Sequence, residues 1–349
     1  MQIDKRLRVG VIGAGAFAEA CHVPGLLSHP LAEVVMICGR QRQRTEALAA
    51  RFGIPSFTLD PAELCARKDV DAVTICTPNS AHSQHAILAL ENGKHVFCEK
   101  PLALSVGDAT AMTRAAKASG RIHQVAFTYR HLFGVEELRR RVNAGEVGEP
   151  FLLRAQHEYG DGLQAGTEVG WRYRREAAGG GVLQDSGAHL FDLARFILGP
   201  ITAVRADLQF LARPGVETDD VASVGFRYAS GATGQWFATR LTPSRTPNFI
   251  QVVGGEGTLE ALISRGSFDA LRRTRSGQSS WEELLLPDEA RDGRPHALGR
   301  MMRSFVDACL QGHLAEGAAS FEDALAVQRT IAAAQEADGT GWFRLDPPA

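Results

Sequence analysis

The run Arg8-Val9-Gly10-Val11-Ile12-Gly13-Ala14-Gly15-Ala16-Phe17-Ala18 decides the fold, because an apolar strand breaks directly into a G-x-G-x-x-A turn. Gly13 permits the tight turn, Gly15 lets the backbone approach a pyrophosphate, and Ala18 keeps helix and strand close. The N–H groups that open the following helix then face the anion. A glycine-rich turn with no ligand would look similar in isolation. Here it starts a repeating β/α pattern, and that context gives it weight.

Outward from this turn, short apolar runs at residues 8–12, 34–38, 72–76, 95–98 and 122–126 alternate with Ala- and Leu-rich helical stretches at 41–51, 81–91 and 106–118. Such alternation is the signature of a doubly wound parallel sheet, a Rossmann domain spanning residues 1–127. After Tyr129 the pattern changes. Longer strands at 151–158, 203–210, 221–228 and 234–239 carry polar alternation, which suits an antiparallel or mixed sheet with one face toward solvent or a partner. The Ala229-Ser230-Gly231 turn reads as a hairpin. A second α/β domain over 128–349 follows, and its two C-terminal helices, at about 298–337, are expected to pack back on the first domain. At 349 residues, two domains of roughly 150 residues each are also the ordinary expectation.

Composition narrows the function. With a formal net charge of −2 there is no basic excess of the kind that nucleic-acid binding needs. The six cysteines form no CxxC pair and no metal-ligand spacing, so no metal is expected. Cys38, Cys76 and Cys98 each close an apolar run and read as small buried hydrophobes in a reducing cytosol. The N-terminus lacks the order of a signal peptide, and no stretch approaches the roughly 18 apolar residues of a membrane span. A cytoplasmic protein with no membrane partner is expected.

Two further clusters leave carboxyl ends of strands, where ligands bind in open α/β sheets. These are Thr77-Pro78-Asn79 with His82, and Glu99-Lys100-Pro101. Lys100 could reach a substrate there, or be a surface lysine in a turn fixed by Pro101. The third cluster runs from Gly179-Gly180-Gly181 to Asp192. In a helix beginning near 185, Asp185, His189 and Asp192 fall at i, i+4 and i+7 and share a face. The glycines would allow close approach by another backbone or a ligand. Taken alone, this helix could equally hold an N-capping Asp185 and a structural histidine. After the second strand, Gly39-Arg40-Gln41-Arg42-Gln43-Arg44 stands where an NAD-binding fold places an acid for the ribose 2′-hydroxyl. The acid is absent. Gly39 leaves room for a 2′-phosphate, and Arg40 with Arg44 could pair with it, unless they are only a solvated basic helix start.

Together these motifs, with Trp171-Arg172 and the helical tail, resemble the Gfo/Idh/MocA family of oxidoreductases over almost the whole chain. The resemblance implies a Rossmann domain and a C-terminal α/β domain whose open, largely antiparallel sheet forms subunit contacts, hence a homo-oligomer, dimer or tetramer. It implies Lys100, Asp185 and His189 as the catalytic set, with a cis bond before Pro101. The cofactor, NADP or NAD with NADP favoured, is expected to meet Gly13, Gly15, Ala16, Phe17, Ala18, Gly39, Arg40, Arg44, Thr77, Pro78, Asn79, His82, Glu99 and Lys100. Tyr159, Asp161 and Arg172 are candidate contacts for a carbohydrate or cyclitol. Two other readings stand beside this one: a glycosidase that oxidises its substrate transiently through a nicotinamide and needs the same residues, and a non-catalytic dinucleotide sensor built on the same fold, against which intact Lys100, Asp185 and His189 speak.

Overall fold

The computed structural model describes residues 6–345 apart from 161–169, 212–214, 244–247, 264–268, 287 and 289–292. The chain divides into two compact units, Met1–Phe127 with Leu298–Leu325, and Thr128–Ala297 with Ala326–Ala349.

In the first unit β1 (Leu7–Ile12), β2 (Ala32–Cys38), β3 (Ser56–Thr58), β4 (Ala72–Ile75), β5 (His95–Cys98) and β6 (His123–Val125) form one parallel sheet in the order β3-β2-β1-β4-β5-β6. This is the Rossmann order, and it reverses between β1 and β4. The carboxyl ends at that reversal carry the glycine turn and Thr77-Pro78-Asn79. Val9, Val11, Ile75, Val96 and Phe97 are wholly buried because helices cover both faces. The Gly293–Gln311 helix adds Met301, Met302, Phe305 and Val306 to this core. Burial pushes the Cys38 thiol up to about 12 and Cys65 to about 11, and holds Cys76 and Cys98 well above the ordinary thiol value. These sulfurs stay protonated and serve as packing groups.

The second unit is built on β7 (Pro150–Glu158), β8 (Ile201–Gln209), β9 (Val221–Tyr228), β10 (Thr233–Thr239), β11 (Asn248–Gly254), β12 (Gly257–Ile263), β13 (Asp269–Arg275), β14 (Glu282–Leu284) and β15 (Phe343–Arg344). They make a mixed sheet in the order β14-β13-β12-β11-β7-β10-β9-β8-β15, antiparallel except where β7 meets β10. On β7 the alternate residues Leu153, Ala155 and His157 are buried, so this face of the sheet is the packed one. The Val182–Leu198 helix lies against it, with Trp236 of β10 beside Gly187 and Phe191. The opposite face carries Phe237 and Phe249, both paired in register with Gln156, and Phe237 is exposed.

Candidate active site

In the first unit Gly13 has φ +123°, and a Cβ there would stand 2.7 Å from the Cys76 carbonyl oxygen, so only glycine makes this turn. Gly15 has open space where a side chain would project. The chain then enters a π-turn, Ala18–His22, and the Val23–Leu27 helix. The Phe17 side chain makes no capping hydrogen bond here, which suits N–H groups offered to an anion. Open space at Gly15 and uncapped amides together fit a dinucleotide pyrophosphate.

The loop after β5 is clamped from both sides. Glu99 accepts a hydrogen bond from His22 Nε2 at 3.0 Å through one oxygen and from the Lys100 backbone N–H at 3.3 Å through the other. The Lys100–Pro101 peptide is cis, and the Lys100 side chain is half-buried. On the far side His82 turns Nδ1 toward the Pro101 carbonyl, 2.9 Å, and Nε2 toward the Thr77 carbonyl, 3.1 Å. Burial lowers the pKa of His82, and the two carbonyls pull the other way. His82 is one of the residues expected at the cofactor. It is wholly enclosed, and both ring nitrogens are engaged in tying the loop after β4 to the loop that carries Lys100.

Gly39 has a packing role as well. A Cβ there would collide with Thr45 Oγ1 and stand 2.6 Å from Ala14 Cβ, so this glycine lets the Arg42–Phe52 helix pack on the glycine turn. Arg40 and Arg44 are exposed, the second in the helix's first turn, which holds no acid.

In the second unit the Val182–Leu198 helix starts at Val182, ahead of the expected residue 185. Its cap comes from far along the chain. The Gly181 and Leu183 N–H groups donate to the two carboxylate oxygens of Asp219, 2.7 Å each, and the Val182 N–H donates to the Asp219 backbone oxygen at 3.1 Å. Any Cβ on Gly181 would run into that backbone, so the close approach foreseen for the glycines is by protein. Burial raises the Asp219 carboxyl above its ordinary range, opposed by the two amides.

The helix delivers Asp185, half-buried, and His189, 4% exposed, one turn apart. Tyr159, at the end of β7, donates its hydroxyl to Asp185 Oδ2 at 3.4 Å. Asp192, predicted on the same face, is not a site residue: it lies in a buried ion pair with Arg130, whose Nε and terminal nitrogen reach its oxygens at 2.6–3.1 Å. Arg172 is exposed and stacks over Trp171 at 4.5 Å, and Asp161 lies outside the described residues. Sequence reasoning missed Tyr129 and His157. The Tyr129 ring stacks on His189, centroids 4.4 Å apart, and its hydroxyl meets His157 Nε2 at 3.0 Å. One signal was available, since a histidine at an inward position of the alternating strand β7 is a polar group buried on purpose.

The first unit thus defines a dinucleotide-binding Rossmann protein, and the second presents a carboxylate and an imidazole on one buried helix. Residues 7–127 match the model of an oxidoreductase family with an NAD-binding Rossmann fold, and residues 135–260 match the GFO/IDH/MocA C-terminal domain. The chain belongs to the Gfo/Idh/MocA oxidoreductase family. It is 31% identical over 309 residues to a myo-inositol 2-dehydrogenase of Thermotoga maritima, covering 87% of this chain and 85% of that one. A D-glucoside 3-dehydrogenase of Escherichia coli is 31% identical over 232 residues, which is 66% of this chain and 62% of that longer protein, less than two thirds of its length. Among solved structures, a levoglucosan dehydrogenase in complex with NADH and L-sorbose superposes with a TM-score of 0.91 at 26% identity, over 98% of this chain and 99% of that one.

Proposed function

We propose that this protein is an NAD(P)-dependent dehydrogenase or reductase acting on a secondary alcohol or ketone of a sugar, a sugar derivative or a cyclitol. The Gly13–Ala18 turn, open at Gly15 and uncapped, carries the dinucleotide part of this reading. Asp185 and His189 on one helix carry the chemistry, and the sugar and cyclitol dehydrogenases among the relatives supply the substrate class. A bound nicotinamide supplies the two-electron hydride acceptor or donor. The residues of the chain handle the proton. His189 accepts it from the reacting hydroxyl, Lys100 donates a hydrogen bond to the alkoxide as it develops, and Asp185, braced by Tyr159, orients the substrate hydroxyls.

We further propose that NADP binds at least as well as NAD. Arg44 sits in a helix first turn with no acid, where a cation opposes the helix dipole unless an anion is present, and exposed Arg40 precedes it. Covering the open sheet face with its Phe237 makes a homo-oligomer, dimer or tetramer, the expected assembly. Light scattering checks this, and a mass of one chain at micromolar concentration rejects it. Six free thiols suit the cytosol.

The test is a panel of sugars, inositols, sugar acids and glycosides followed at the nicotinamide absorbance with both NAD and NADP. On the substrate it identifies, Lys100→Met and His189→Ala should each lower turnover by about a hundredfold or more with cofactor binding intact. Near-normal turnover in both would reject the catalytic set. Glycoside cleavage without net reduction would reassign the reaction.

A further inference from the structure

A base serves a hydroxyl only when its nitrogen points along the line of the proton, and an imidazole rotates freely about its outer torsion unless something holds its plane. In the second unit one such holding element is a closed ring of contacts that begins and ends on one helix. Ser186 Oγ lies 2.9 Å from His157 Nδ1. His157 Nε2 lies 3.0 Å from the Tyr129 hydroxyl. The Tyr129 ring then stacks on His189, 4.4 Å between centroids and 29° between planes, three residues beyond Ser186 on the same helix. All four side chains are buried, none more than 4% exposed.

We infer that Tyr129 is a positioning residue that sets the plane of the His189 imidazole, and that His157 and Ser186 are its anchor. This rests on the reading of His189 as the proton acceptor. The anchor holds in either tautomer of His157, because both hydroxyls can donate or accept. Cutting the anchor loosens the tyrosine ring on the imidazole, and removing the ring takes away a contact that fixes the imidazole plane. A reacting group displaced by about 1 Å costs on the order of a hundredfold in rate, and the cost falls on turnover because Tyr129 acts through His189.

Two substitutions separate ring from anchor. Tyr129→Phe keeps the stack and cuts the anchor, and should lower kcat several-fold with KM unchanged. Tyr129→Leu removes both and should lower kcat about a hundredfold, again with KM unchanged. The stack is read independently of turnover from the His189 ring resonance in protein carrying ring-labelled histidine, identified by its loss in His189→Ala. Its ring-current displacement should persist in Tyr129→Phe and vanish in Tyr129→Leu. Ser186→Ala should lower kcat several-fold in the wild-type background and change nothing in Tyr129→Phe, where the anchor is already cut.

Folded Tyr129→Leu with wild-type kcat, a loss confined to KM, or an unmoved His189 resonance would overturn the inference. Should Tyr129→Leu not fold, wild-type kcat in both Tyr129→Phe and Ser186→Ala would do so. If His189→Ala keeps full turnover, the assignment of the base fails, while the resonance still reports whether the stack orients the ring.

Discussion

Asp219→Ala tests how the helix that carries Asp185 and His189 is held. The substitution removes both carboxylate acceptors and leaves the buried Gly181 and Leu183 N–H groups without partners, while the Val182 bond to the Asp219 backbone remains. Each orphaned N–H costs about 1–3 kcal/mol, and losing the charge at the helix N-terminus adds about 0.3–1 kcal/mol. Relief from burying a carboxylate, the cause of its raised pKa, offsets part of this. A net loss of about 3 kcal/mol is expected, and roughly half of that for Asp219→Asn, which keeps one acceptor oxygen. All four tryptophans, Trp171, Trp236, Trp281 and Trp342, belong to the second unit, so their fluorescence in urea reports its unfolding alone. With a slope of about 2–3 kcal/mol per M, the midpoint should fall by about 1 M at an unchanged slope. Asp185 and His189 sit in the first turns that the cap secures, so kcat should fall too. A midpoint within about 0.2 M of wild type would refute the reasoning.

The other predictions concern the dinucleotide. Gly13→Ala puts a methyl 2.7 Å from the Cys76 carbonyl oxygen in a left-handed backbone, and should weaken NADH and NADPH binding alike by more than about tenfold, measured by calorimetry. Arg40→Ala should weaken NADPH by about tenfold and leave NADH nearly unchanged, the loss of one charge-assisted hydrogen bond. A wild-type preference for NADH, or a preference that the substitution leaves alone, would reject the phosphate role of Arg40.

Much of this protein is written locally. The first strand and its glycine turn, the β/α alternation up to residue 127, and the four-residue spacing of Asp185 and His189 follow from short-range rules of backbone conformation and helical period. Gly39, by contrast, has a packing role that composition does not show, since a side chain there would run into Thr45 and Ala14. His82 has the position of a cofactor ligand, but two backbone carbonyls from different loops engage its ring. Asp192 keeps the helical spacing of a site residue and is taken by Arg130 from 62 residues away. Asp219 caps a helix 38 residues before it, and Tyr129, held by His157, stacks on His189 from another element. The sequence alone determined which backbone could turn at Gly13 and which side chains share a helical face, because those depend on neighbours in the chain. Only the tertiary structure decided which polar groups are consumed in holding the fold and which remain for chemistry, because a buried hydrogen bond is settled by whatever the packing brings within about 3 Å.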